Sequence, residues 1–145
     1  MVTIGKLAAR TAVSVDTVRY YEREGLLRPA KKSAAGYRLY DDDAERRIRF
    51  IKQAQQCGFS LSETRDLLDL RRRDDACCSE VRTLAIEKKM QLEHKIAALR
   101  RMSETLNELI VRCTNDSAPL EECPILDALE TSMSKAAGAS APRRR

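Results

Sequence analysis

Between Ser79 and Cys113 the chain contains neither glycine nor proline, and this stretch limits the fold more than any other. Leu92, Ile96, Leu99, Leu106, Ile110 and Cys113 recur at a/d-like spacing, with Ser103 as the one polar break. Val81, Leu84 and Ala85 begin the stripe, and Glu87, Lys88, Lys89, Arg100 and Glu108 occupy the other faces. The pattern predicts one long amphipathic helix carrying a coiled-coil seam. A single helix cannot hide so long a seam, and a second copy is the simplest cover.

The cysteines sharpen that expectation. Cys78 and Cys113 lie at opposite ends of the helical stretch, and Cys123 follows a short loop. At about 1.5 Å of rise per residue, Cys78 and Cys113 stand roughly 50 Å apart in one chain and cannot share an ion there. Antiparallel pairing of two such helices lays the start of one beside the end of the other. The spacing therefore predicts a homodimer with two equivalent thiolate sites, each built from both chains. Cys77 adjoins Cys78 and is a candidate fourth thiol. Cys57, ahead of Gly58 at a helix end, reads as a small buried hydrophobe. His94 falls mid-helix and reads as solvated, and Met90 and Met102 as filler.

The N-terminal half reads as a DNA binder. Thr3 is placed to cap a helix over residues 4–10, and Thr11 and Ala12 make a tight connection. Ser14 caps a second helix that ends at Gly25. Two short helices joined this way form a helix-turn-helix. Lys31, Lys32 and Ser33, then Gly36 and the alternating Tyr37-Arg38-Leu39-Tyr40, read as a basic hairpin, the shape of a wing. Asp41 to Asp43 open a third helix that stops at Gly58. Ser60 and Glu63 form a capping box for a fourth helix, reaching about Leu70. Pro124 suits the first turn of a last short helix through about Glu130. Thr131 to Arg145 is rich in Ser and Ala and is expected to be disordered.

Charge supports this division. Of the net +5, all the excess lies in residues 1–56, which hold 12 Lys/Arg against 7 Asp/Glu. A recognition helix in the major groove and a basic wing on the backbone fit that asymmetry. The DNA-contact candidates are Thr17, Arg19, Tyr21, Lys31, Lys32, Tyr37 and Arg38. Tyr20 is expected to pack in the core. Met1 to Lys6 lead into a polar helix rather than a signal peptide. No apolar run approaches the ~20 residues that span a membrane. A cytoplasmic protein with reduced thiols is expected. With an isolated histidine, no acid–base pair and no phosphate-cradling glycine loop, an enzyme is not expected.

Ile4-Gly5-Lys6-Leu7-Ala8, Val15-Asp16-Thr17-Val18-Arg19-Tyr20-Tyr21-Glu22 and Gly25-Leu26-Leu27 resemble the MerR family of bacterial transcription regulators. Gly36-Tyr37-Arg38-Leu39-Tyr40 matches that family's wing, and Gly58-Phe59-Ser60-Leu61 opens its next helix. The resemblance covers about residues 2 to 130. It implies a mainly α fold: a winged helix-turn-helix DNA-binding domain (1–70, with the helix-turn-helix about 4–24 and the wing about 28–40), then a connector and antiparallel coiled-coil dimerisation helix (71–113). A metal-binding loop with a short terminal helix (114–130) and the tail (131–145) complete it. It also implies a dimer seated on promoter DNA whose elements are spaced too far apart for RNA polymerase. Effector binding makes that dimer bend and untwist the DNA, which activates transcription.

The resemblance extends to the metal-sensing branch, whose two loop cysteines match Cys113 and Cys123, followed by a helix like Pro124-Ile125-Leu126. Copper(I) sensors carry Ser at position 78, whereas sensors of divalent ions carry Cys there, contributed by the other protomer. Cys78 of one chain with Cys113 and Cys123 of the other would thus make a three-thiolate site for a divalent soft ion, Hg, Pb, Cd or Zn. Zinc sensors add a second loop cysteine and a histidine, but here Thr114 follows Cys113 and the loop lacks histidine. The expected function is a metal-responsive activator of efflux or detoxification genes. A thiol-redox regulator using the same cysteines is the alternative, and a DNA-compacting protein with incidental cysteines is a third reading.

Overall fold

The computed structural model describes residues 1–138. In chain order it has β1 (Val2–Thr3), α1 (Ile4–Thr11), α2 (Val15–Arg23), β2 (Lys31–Lys32), β3 (Arg38–Tyr40), α3 (Asp42–Gln56), α4 (Leu61–Arg72), α5 (Cys78–Arg112) and α6 (Pro124–Gly138). A 3-10 turn over Leu120–Glu122 precedes α6. The fold is mainly helical with one small antiparallel sheet. The chain divides within α5 into two compact units, one spanning Met1–Met90 and the other beginning at Gln91.

Local signals set the helix ends. Ser14 Oγ accepts from Thr17 N at 3.0 Å, and Asp41 Oδ1 accepts from Ala44 N at 3.0 Å. Three acids follow in the first turn of α3, where the helix dipole favours them. At α4 both halves of the capping box form: Glu63 N donates to Ser60 Oγ, and Ser60 N to Glu63 Oε1. Gly25 ends α2 with φ 71°, and Leu26 N reaches back to Tyr21 O at 2.9 Å, a Schellman closure. The α1–α2 connection is unusual: Ala12 takes the left-handed conformation at φ 52°.

The N-terminal strand was not expected from the sequence. Val2 pairs with Tyr40 and Thr3 with Leu39, so β3 lies between β1 and the wing strand β2. Thr3 precedes α1 as the end of this strand, and its side chain makes no capping bond. The core gathers Leu7, Ala8, Val18, Tyr21, Leu26, Leu27, Tyr40, Ala44, Ile48, Ile51 and Leu68 from both helix-turn-helix helices, the wing, α3 and α4.

Two side chains exchange their expected places. Tyr20, expected in the core, is exposed, and Tyr21 is buried instead. Tyr21 lies three residues after Val18, so both fall on the buried face of α2. Cys57, expected to be buried, is exposed as the residue that closes α3 ahead of Gly58.

Along α5, Leu92, Ile96, Leu99, Leu106 and Ile110 are 37–63% exposed, while Leu109 is 7% exposed. The a/d seam is therefore open in the single chain. The last helix, expected to end near Glu130, runs to Gly138. The rest of the tail expected to be disordered, 139–145, lies outside the described residues.

Candidate functional site

The basic candidates sit on α2 and the wing. Thr17 is in the first turn of α2, with its hydroxyl 2.8 Å from Ser14 Oγ. Arg19 is exposed and only loosely associated with Asp16, at 4.0 Å. Lys31, Lys32 and Tyr37 are exposed on the hairpin. Tyr21, a candidate for its hydroxyl, instead donates that hydroxyl to Gln55 Oε1 at 3.2 Å, and burial raises its pKa. Exposed Tyr20 lies beside it, with the Arg23 guanidinium 5.8 Å from its ring centroid.

Glu22, not singled out from the sequence, joins the two halves of this surface. Arg38 Nη1 donates to Glu22 Oε2 at 2.9 Å, and Tyr40 Oη donates to Glu22 Oε1. Residues 38 and 40 lie on one face of β3, so one carboxylate on α2 holds two successive same-face side chains of the wing. Burial first, and then the hydrogen bond to Glu22, raise the Tyr40 pKa. Arg19, Glu22, Arg23 and Arg38 line one surface hollow of about 570 Å³. The only sequence signal for this joint was the period-2 alternation of Arg38 and Tyr40.

The thiols group differently. Cys78 opens α5 and is exposed, on an apolar hollow of about 310 Å³ lined by Phe50, Leu67, Leu70 and Val81 among others. Cys77 precedes it: its N–H donates to Glu80 Oε2 at 3.0 Å, and its Sγ lies 2.8 Å from Ser79 Oγ. The Ser79 hydroxyl first, then the backbone of Glu80 and Ser79, lower the Cys77 pKa. Cys113 and Cys123 are half-buried at the two ends of the loop between α5 and α6. Asn115 Oδ1 accepts from Ser117 N and Oγ and tightens that loop. Cys123 closes the 3-10 turn, and its carbonyl accepts from Asp127 N at 3.1 Å to start α6.

All five cysteines are free thiols. Among the described residues of one chain, no three His, Cys, Asp or Glu side chains come together as a metal site. The donor set is nonetheless chemically coherent. Two half-buried thiols bracket one loop, a third opens α5, and no imidazole competes in the loop, a composition suited to soft ions.

Comparison with known proteins agrees with this architecture. The family model described as MerR HTH family regulatory protein matches residues 2–70, and the model described as MerR, DNA binding, matches residues 45–109. The HTH-type transcriptional regulator HmrR of Sinorhizobium medicae is 38% identical over 94% of this chain and 89% of its own length. The crystal structure of the regulator PbrR691 from Ralstonia metallidurans, in complex with lead(II), superposes with a TM-score of 0.79 at 36% identity, covering 89% of this chain and 99% of that one. A MerR from Bacillus megaterium in complex with mercury(II) gives 0.65 at 35% identity, covering 85% and 94%. The chain belongs to the MerR family of helix-turn-helix regulatory proteins.

Proposed function

We propose that this protein is a homodimeric regulator that binds promoter DNA and activates transcription when a divalent soft metal ion binds at its thiols. One observation carries the reading: Cys78 opens α5 while Cys113 and Cys123 bracket the loop after its far end, and the seam of the helix between them is open. A second copy running antiparallel would cover the seam. It would also bring Cys78 of one subunit to Cys113 and Cys123 of the other, against the apolar hollow that Cys78 borders.

In this reading residues 1–70 bind DNA and residues 71–113 connect and dimerise. Residues 114–130 hold the ion. Thr17, Arg19, Lys31, Lys32, Tyr37 and Arg38 contact the duplex; Tyr21 acts by bracing α2 on α3 through Gln55. Most of these contacts are to phosphates and set the register on the duplex. When bound, the ion would supply the crosslink between subunits. Thiols lose their protons on ligation, so the response falls with acidity. Ordering the loop on the partner would shift the dimer between two DNA-bound shapes that RNA polymerase reads differently, a coupling between two sites. Lead(II) and mercury(II) complexes of similar proteins support a divalent soft effector. No described helix is long and apolar enough to cross a membrane, in keeping with cytoplasmic work on DNA; a catalytic activity forms no part of the reading.

The test is reporter transcription from the target promoter across Hg, Pb, Cd, Zn, Cu and Ag salts, with wild type and Cys78→Ser. The variant is expected to bind the promoter normally, lose the divalent response and keep some response to Cu(I) or Ag(I). Unchanged divalent induction in the variant would overturn the assigned site. Induction by peroxide without metal would favour a redox switch instead.

A further inference from the structure

Between the start of α3 and the end of α4 lies a cleft of about 450 Å³, lined by Asp43, Arg46, Arg47, Leu68, Arg71 and Arg72. A second hollow of about 120 Å³ shares Asp43, Arg47 and Arg72 with it and is walled by residues 25–28, just beyond α2. Five guanidiniums, counting Arg28, thus line the two hollows against two carboxylates, Asp41 and Asp43, and the charge of Asp69 also acts on Arg47. Asp43 already pairs with Arg46 at 3.4 Å. Among the described residues, Arg28, Arg47, Arg71 and Arg72 make no ion pair.

Ordinary solvation accounts for part of this cluster only. Arg71 and Arg72 end α4, where the helix dipole favours positive charge. Arg46 and Arg47 sit in the N-terminal half of α3, where the dipole opposes it. Arg47 is half-buried, and its Nε donates to Leu26 O at 3.1 Å. Burial, and next the charge of Arg72, lower its pKa. Like charges gathered this way repel one another, and an anion between them removes the repulsion. Guanidinium forks match pairs of phosphate oxygens, and a concavity lined by four of them can bind more than one phosphate.

We propose that this cleft binds a phosphate-bearing anion with at least two linked phosphates, held by Arg46, Arg47, Arg71 and Arg72. None of the residues assigned to DNA contact or to the thiol site lines it. Because Arg47 also holds the carbonyl of Leu26, the bound anion adjoins the connector between recognition helix and wing.

Titration calorimetry of the full-length protein with inorganic pyrophosphate tests the site. Saturable binding is expected in wild type, weakened about tenfold or more in Arg71→Gln/Arg72→Gln, the loss of two charge-assisted hydrogen bonds. Both side chains are exposed, so the variant should fold, which circular dichroism verifies. Arg82→Gln/Lys95→Gln removes the same charge from exposed positions of α5 that carry no assigned role and should bind within about twofold of wild type. No saturable binding in wild type, or equal weakening in both variants, overturns the proposal. Repeating the titration with operator DNA present identifies the source, and either result sustains the site. Displacement assigns the phosphates to the duplex backbone; a ternary complex assigns them to a free phosphorylated ligand.

Discussion

Lys88, in the third turn of α5, donates to Glu63 of α4 at 2.9 Å, and the same Glu63 oxygen accepts from Ser60 N in the α4 capping box. Lys88 is buried, with its ammonium 5.8 Å from the Phe59 ring centroid. One carboxylate therefore caps the helix after α3 and ties it to the first turns of α5. Lys88 first, then the Ser60 backbone, pull the Glu63 pKa down to about 2 from an ordinary 4.5. At neutral pH both folded and unfolded chains carry this carboxylate ionised, and its stabilisation is complete. As pH falls below about 4.5 the unfolded chain takes up the proton first, so stability declines until the folded carboxylate protonates near 2. Glu63→Gln should flatten this acid limb of a stability-against-pH curve measured by urea unfolding. Lys88→Met should lose about 1–2 kcal/mol at pH 7, less than a fully buried pair because Glu63 stays partly solvated.

Glu22 predicts a change in specificity rather than in bulk affinity. Without it, Arg38 and Tyr40 lose the contact that holds the wing against α2. Glu22→Gln also removes a negative charge from the hollow lined by Arg19, Arg23 and Arg38, the surface proposed to face DNA, which helps non-specific binding. Operator affinity should fall about fivefold to tenfold relative to random duplex, read by competition binding at fixed salt. Arg38→Gln should lower the log–log salt slope by about 1. An unchanged ratio of operator to random binding in Glu22→Gln would remove Glu22 from the interface.

The open seam predicts the assembly. Leu106→Glu places a charge in the middle of the exposed stripe that the proposed second copy would cover. Burying each such leucine contributes about 1.5–3 kcal/mol, and a dimer loses two at once. Sedimentation equilibrium should show a dimer for wild type and a monomer for the variant, with the helix-turn-helix still folded by near-ultraviolet circular dichroism.

Ala12 predicts a gain. An alanine at φ 52° carries a steric penalty that glycine lacks. The residue is exposed and contributes nothing to the core. Ala12→Gly should raise stability by about 0.5–1 kcal/mol, visible as a higher thermal midpoint. A lower midpoint would mean that unfolded-state entropy outweighs the strain at this turn.

Most of the helix boundaries were readable in advance because their causes are local. Ser14, Gly25, Asp41, the Ser60–Glu63 box and Pro124 act within a few residues of themselves, and each appears where expected. The long helix was readable for the same reason: absence of glycine and proline, and apolar spacing, are properties of one segment. The β1–β3 pairing was not, since two residues at the N-terminus carry too little pattern to announce a strand whose partner lies far along the chain.

By itself, then, the order of residues determined most of the helices, the caps at Ser14, Asp41 and Ser60 and the open seam, because those follow from neighbouring side chains and the backbone between them. Packing alone decided that Tyr21 faces inward and Tyr20 outward, that Glu22 gathers Arg38 and Tyr40, that Lys88 meets Glu63, and that the arginines of α3 and α4 converge on one cleft. Each of these joins elements distant in sequence, and the energy that selects them, burial of a shared core and pairing of charge across it, exists only once the chain has closed on itself.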